Sequence, residues 1–391
     1  MFTRVSRIPS LTIIVGPLAA VNSEGLCGSG ALPRLDGAEP RPHTVRVTVQ
    51  SRMLPRPTGC VTDLSRFRRA LLRWYDEHRR NLPWRKTRDP YRIWLSEIML
   101  QQTRVAAVLD HYRIFLKRFP KVQALAAATE DAVLAAWSGL GYYRRARGLH
   151  QCAKELVRKH RSRLPQTAEA LQTLPGIGRY TAAAIASIAF AEPVAVVDGN
   201  VERVLQRLTG VNLTSPRTWQ YAQALLASSR PGDFNQAMME LGATVCLPRQ
   251  PRCPTCPLRK WCRGANNTIT TMEHRASSPG RTPTRNQSRR IKREIRCVLY
   301  RRNGRIRLVQ RPRKSPVMPG MWELPQLPQK LNGTPAPVPW RTFRHSITVI
   351  DYTVHVHKAP AAKGKWIPVT NISYFPITGL TRKILKTAGV I

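Results

Sequence analysis

Between Leu64 and Cys262, apolar residues recur every three or four positions, and short stretches carrying Gly, Pro, Thr or Asp interrupt them. That period puts one apolar stripe on each helix. It predicts helices over 64–79, 90–119, 129–137, 146–160, 168–174, 180–190, 201–208, 216–229 and 235–245. No strand alternation intervenes, so an all-α domain is expected over 63–263. Residues 264–290, rich in Asn, Ser, Thr, Pro and Arg, read as a linker. Short β-rich runs then follow over 295–300, 306–310, 346–352 and 353–357, separated by Gly, Asn and Pro turns, which predicts a small α+β module over 291–391. Residues 1–62 are rich in Pro, Gly, Ser and Arg without helical period and read as a disordered extension.

Charge narrows the partner. The chain carries 64 Lys and Arg against 22 Asp and Glu, a formal charge of +42, which favours a polyanion such as nucleic acid; a membrane surface or a ribosome would meet the same requirement. The longest apolar candidate, 11–21, is interrupted by Gly16 and Pro17, so no membrane span is expected. Arg4 and Arg7 flank an apolar patch ahead of the first acidic residue, Glu24, a pattern compatible with a mitochondrial transit peptide, with a secretory signal as the alternative. The expected location is the nucleus and/or the mitochondrion, and a monomer is expected.

Four of the eight cysteines crowd together at 246, 253, 256 and 262, which points to metal rather than to a disulfide framework. Thiolates gathered in one small loop can enclose a [4Fe-4S] cluster; structural zinc is the alternative, although only Cys253 and Cys256 have the spacing of a zinc knuckle. Arg249, Arg252, Arg259, Lys260 and Arg263 stand among these ligands and would present a positive surface to phosphates.

Two carboxylates stand out. Leu174-Pro175-Gly176-Ile177-Gly178 separates two helical segments, and Gly176 and Gly178 permit a tight turn offering backbone N–H groups to an anion, although an ordinary helix-helix turn would look the same. Twenty residues after Gly178, Asp198 lies in Val197-Asp198-Gly199-Asn200-Val201, where it can cap a helix and also place a negative charge beside a cationic sugar. Glu97 sits among apolar neighbours in Trp94-Leu95-Ser96-Glu97-Ile98-Met99-Leu100-Gln101-Gln102-Thr103. Burial there would raise its pKa and keep a proton available; a buried ion pair with an arginine is the plainer alternative.

The hairpin, Asp198 and the cysteine spacing together resemble the helix-hairpin-helix DNA glycosylase superfamily, in its iron-sulfur branch of endonuclease III and MutY. Leu82-Pro83-Trp84-Arg85, the Glu97 segment, Gly139-Leu140-Gly141-Tyr142-Tyr143 and Phe234-Asn235-Gln236-Ala237-Met238-Met239-Glu240-Leu241-Gly242 are similar to MutY motifs. The resemblance implies a base-excision glycosylase acting on adenine mispaired with 8-oxoguanine or guanine in double-stranded DNA. It implies Glu97 as general acid at adenine N7, Asp198 as stabiliser of the sugar cation, and Tyr180 and Asn200 organising that site. Arg85 and Gln236 would contact the extruded adenine, Gln102, Leu140 and Tyr142 would wedge into the duplex, and Thr103 would touch the opposite base. Core packing is the plainer reading of Leu140 and Tyr142.

Endonuclease III is the alternative, a glycosylase and AP lyase acting on oxidised pyrimidines. That branch places a Lys two residues after the position of Gly178, where this chain has Tyr180; a phenol cannot form the Schiff base that cuts the strand, so a monofunctional enzyme is expected. A nucleic-acid binder without catalysis is a third reading, which the paired acids disfavour. Met318-Pro319-Gly320-Met321-Trp322-Glu323-Leu324-Pro325 resembles the Nudix-like C-terminal domain of MutY. No glutamate-rich helix follows Gly320, so binding rather than hydrolysis is implied. The family's Phe-Ser-His loop for 8-oxoguanine is best matched by Thr342-Phe343-Arg344-His345, with Arg344 in place of the serine, which implies contacts from Phe343 and His345.

Overall fold

Short polar side chains set several helix starts in the helical part of the chain, by accepting from the N–H groups that a helix leaves free. The computed structural model describes residues 63–266, 291–327, 338–347, 349–360 and 363–391, so the extension over 1–62 and most of the expected linker lie outside the described residues. Asp63 caps α1 (Leu64–His78) through Arg66 N. Asp89 caps α2 (Pro90–Leu100) through Tyr91 N and Arg92 N, with Pro90 in the first turn. There follow α3 (Val105–Arg118), α4 (Val122–Ala127), α5 (Glu130–Trp137), α6 (Arg144–Lys159), α7 (Ala168–Gln172) and α8 (Arg179–Ala189). Asp198 caps α9 (Gly199–Thr209), and left-handed Gly210 ends it. The helical part closes with α10 (Ser215–Leu225), α11 (Pro231–Thr244) and the short α12 (Arg263–Asn266), which occupies the start of the expected linker.

One expected helix is two. The period over 90–119 continues across a break at 101–104, where α2 stops at Leu100 and Gln102 takes a φ of +53°. Neither Gly nor Pro marks the break. The helix α4 was not expected from the sequence at all.

The helices build two cores. One is formed by α2 to α8 around Trp94, Trp137, Phe115 and Ile185. The other joins α1, α9, α10 and α11 around Phe67, Tyr75, Leu205 and Phe234, and the cysteine loop docks on it through Leu258 and Trp261. Burying a side chain of this size contributes roughly 1.5–3 kcal/mol, so each core gives a firm wall to whatever lies between them.

The C-terminal module contains β1 (Ile291–Val298), β2 (Arg301–Arg302), β3 (Arg305–Gln310), β4 (Trp322–Glu323), β5 (Arg341–Ile347), β6 (Ile350–His357), β7 (Lys365–Pro368) and α13 (Gly379–Thr387). One sheet has the order β1-β6-β5, with β6 antiparallel to β5 and parallel to β1; in the other, β3 pairs with β2, β4 and β7. The expected split into 346–352 and 353–357 is corrected: β6 is continuous, and the hairpin turns between Ile347 and Ile350. The module rests against α5 and α6, where Ser138 Oγ donates to Ile377 O at 2.8 Å and Arg147 donates to Pro319 O at 2.7 Å. Among the described residues, no helix is long and apolar enough to cross a membrane.

Candidate active site

A cleft of about 1030 Å³ opens where the two helical cores meet. Glu97 reaches it from α2, Tyr180 from α8, and Asp198 and Asn200 from the start of α9. Glu97 is 6% exposed. Burial pushes its carboxyl up, the Tyr180 hydroxyl opposes this, the Asp198 charge adds to it, and the result is about 7. Tyr180 donates to Glu97 Oε2 at 2.7 Å and so leaves the other carboxyl oxygen to the cleft. Tyr180, expected to organise the site of Asp198, hydrogen-bonds to Glu97 instead. The phenol itself is held well above its ordinary pKa, by burial first and then by the two acids.

Asp198 is fastened by α9. Its Oδ1 accepts from Asn200 N at 2.9 Å and Val201 N at 2.7 Å, and its Oδ2 accepts from Asn200 Nδ2 at 2.9 Å. The chain leading to it is fixed by buried Asn235, which accepts from Val196 N and donates to Val194 O. Arg203, which sequence reasoning missed, donates to Asn200 Oδ1 at 2.9 Å and so turns the Asn200 amide toward Asp198. The same guanidinium donates to Cys246 O at 3.0 Å and to Gly242 O at 2.7 Å, joining the cysteine loop and α11 to the carboxylate. Gly242 makes this packing possible, because a Cβ there would stand 2.6 Å from Asn200 Cβ.

Arg85 and Gln236 also line the cleft. Arg85 donates to Glu240 Oε2 at 2.7 Å, and Arg80 grips the same carboxylate through its backbone N–H and its guanidinium. Glu240 is fully buried. Burial alone would raise its carboxyl, yet the hydrogen bonds from Arg80 and Arg85 outweigh it and hold the group at about 2. The role of Glu240, within the 234–242 motif, was missed by sequence reasoning; its signal is an acid at a core position between Met239 and Leu241.

Of the residues expected to meet DNA, Gln102, Thr103, Gly176 and Gly178 line the cleft and Tyr142 borders an adjoining hollow with Gln102 and Gly176, with one exception. Gly176, at φ +78°, turns the hairpin, and a Cβ there would stand 3.3 Å from Gly148 Cα of α6. Gly178 begins α8 without a side-chain cap, which leaves its first N–H groups to an anion. Gln102 and Tyr142 are exposed, and Thr103 is half-buried. Leu140 is the exception: it lies in the first core at 7% exposure, not on the surface.

Cys246, Cys253, Cys256 and Cys262 line one cavity beside Arg207. Arg207 donates to Cys246 Sγ at 3.3 Å and to the carbonyls of Leu247 and Pro248. Among the described residues, no three or more His, Cys, Asp or Glu side chains are gathered closely enough to hold a single metal ion. The donor set and the shared cavity fit a multinuclear cluster held by all four thiols.

The C-terminal residues are placed differently from expectation. Thr342-Phe343-Arg344-His345 lies within strand β5 rather than in a loop. Phe343 belongs to the core of the module, because alternation along β5 turns it inward, and His345 is half-buried. None of the described residues of 291–391 lines the cleft.

Residues 95–227 match the HhH-GPD superfamily of base excision DNA repair proteins. The chain is 39% identical over 359 residues to the adenine DNA glycosylase of Rattus norvegicus, an alignment that covers 76% of this chain and 69% of that protein. It is 50% identical over 218 residues to the adenine DNA glycosylase of Mus musculus, covering 52% of this chain and 42% of that protein. Among solved structures, a thermostable thymine-DNA glycosylase is 31% identical with a TM-score of 0.49, covering 51% of this chain and 95% of that one.

Proposed function

Because the chain belongs to the adenine DNA glycosylases of the helix-hairpin-helix superfamily, we propose that it hydrolyses the N-glycosidic bond of adenine facing 8-oxoguanine or guanine in duplex DNA. The observation that carries the reading is Glu97, a carboxyl buried in the cleft wall, lifted to about 7 and oriented by Tyr180 opposite Asp198. Near neutral pH a large fraction of such a group keeps its proton. Glu97 delivers that proton to N7 of an extruded adenine, which makes the base a better leaving group. The negative charge of Asp198, pinned by Asn200 and Val201, then stabilises the oxocarbenium sugar until water adds. Arg85, held by Glu240, and Gln236 orient the base; Gly176 and Gly178 receive a backbone phosphate.

Strand cleavage is not part of this chemistry, because Tyr180 carries no amine to attack the sugar. Cys246, Cys253, Cys256 and Cys262 would hold a [4Fe-4S] cluster, which supplies a rigid loop whose arginines meet phosphates. The 291–391 module is read as Nudix-like, contacting the base opposite adenine; its packing on α5 and α6, next to the 139–143 loop, supports this.

The test offers duplexes with adenine opposite 8-oxoguanine, adenine opposite guanine, or an oxidised thymine. Adenine release that leaves an uncut abasic strand is the expected result. Thymine removal or a borohydride-trapped covalent complex would instead favour the endonuclease III-like reading, and no base release from any duplex would overturn catalysis altogether.

A further inference from the structure

The break between α2 and α3 has no local cause in the sequence, and a single side chain accounts for it. A helix leaves its last carbonyls without partners, and an arginine can satisfy them. Arg145, near the start of α6, directs Nη1 at Ile98 O at 2.9 Å, at Met99 O at 3.0 Å and at Gln101 O, the carbonyls that α2 leaves open as it ends. Its Nη2 donates to Thr103 Oγ1 at 3.1 Å across the break, and to Leu140 O and Gly141 O, both at 3.3 Å, in the neighbouring loop. The guanidinium also lies over the rings of Trp137 and Tyr142, 5.5 and 5.3 Å from their centroids.

The two loops joined in this way share a conformational feature. Gln102 at φ +53° and Tyr142 at φ +48° are non-glycine residues in the left-handed region, which L side chains rarely adopt. Such conformations persist where the surroundings over-determine them, and they gather at functional sites. Both residues are exposed, and both border one hollow together with Arg145 and Gly176 of the hairpin. The hydrogen bonds of Arg145 go to carbonyls and one hydroxyl, so no carboxylate neutralises its positive charge beside the expected path of the phosphates.

We infer that Arg145 is a positioning residue that locks the 101–104 break and the 139–142 loop into one rigid wedge, holding Gln102 and Tyr142 ready to enter the base stack. It acts on extrusion of the base, not on cleavage of the bond. This rests on the glycosylase reading above. Fork geometry is essential to the role, because a lysine carries the charge but cannot span both loops.

The experiment compares single-turnover adenine release from two duplexes, one with adenine opposite 8-oxoguanine and one with adenine opposite an abasic analogue, where no pairing partner holds the base. Arg145→Gln is expected to slow release from the paired duplex on the order of 100-fold, the scale of a misplaced positioning group. The deficit should shrink to within about tenfold on the abasic duplex, where extrusion costs less. With 2-aminopurine at the target position, the fluorescence rise on binding should fall in step. Equal deficits on both duplexes, or an unchanged fluorescence rise, would overturn the inference. Arg145→Lys undergoes the same comparison if the Gln variant does not fold, and the same pattern is expected of it. Wild-type protein silent on both duplexes would remove the glycosylase reading itself, a result distinct from either pattern in the variants.

Discussion

Glu97 holds a proton at the expense of the fold. Its carboxyl moves from an ordinary 4.5 to about 7, chiefly through burial. Below pH 4.5 folded and unfolded chains both carry the proton; between 4.5 and 7 only the folded one does, so this group's contribution to stability falls as pH rises through that window. The difference amounts to about 3 kcal/mol. Glu97→Gln is therefore expected to be more stable than the wild-type protein at pH 8, with the gap closing toward pH 4, as urea midpoints at the two ends would reveal. The same variant keeps duplex binding and loses adenine release by about 10²–10⁴-fold, the range of general-acid catalysis; normal turnover would remove Glu97 from the mechanism. Glu240 has the opposite sign. Held at about 2 by Arg80 and Arg85, it adds stability above pH 4.5 that is lost as pH falls toward 2. Glu240→Ala leaves two arginines without their buried partner and is expected to cost about 3–5 kcal/mol, measured by urea denaturation at neutral pH.

At the scale of elements, legibility followed the distance of the cause. Helix starts were readable because their makers are neighbours: Asp63, Asp89, Thr129, Thr167 and Asp198 each precede an apolar period and accept from N–H groups two or three residues on. Asp198 was expected from the hairpin motif and its spacing, and Glu97 from its apolar segment and the family resemblance; both line the cleft. The break at 101–104 was not anticipated, because its maker, Arg145, lies more than forty residues away and the segment itself contains neither Gly nor Pro. Arg203 was missed for a similar reason: beyond its own helix, its partners belong to α11 and the cysteine loop. The alternation over 346–357 did not show where the strand begins: the expected runs 346–352 and 353–357 split β6, whose pairing with β5 runs unbroken from Ile350 to Val356. The contact of α9 with α11 yields a prediction. Gly242→Ala forces a methyl group to within 2.6 Å of Asn200 Cβ and within 3.0 Å of its carbonyl. Overpacking of this kind costs about 1–3 kcal/mol, and relief requires α9 to move with Asp198 at its start. Excision should fall while duplex binding is kept; full activity in a folded Gly242→Ala protein would show that the carboxylate tolerates the shift.

For the whole molecule the question is whether the sheet module folds apart from the helices, and Met321 decides it. This side chain, fully buried, belongs to the core of α2 to α8, while the next residue, Trp322, belongs to the core of the sheet module. Consecutive residues thus feed two cores, and the described residues all fall within one compact unit. A net charge of +42 sets strong self-repulsion against such a union, which makes the apolar bridge more important than in a neutral protein. Met321→Ala is expected to cost about 2–5 kcal/mol, as for other large-to-small changes at sites without solvent access. If the cores are joined, helix ellipticity and amide protection in β3 and β6 should weaken together, because loosening Met321 withdraws support from both sides. Loss of protection confined to the strands, with the helices melting as before, would mean that the module only rests on α5 and α6. The position of the 139–143 loop would then not depend on it, and a contact made by the module with the opposite base would have no mechanical route to the wedge.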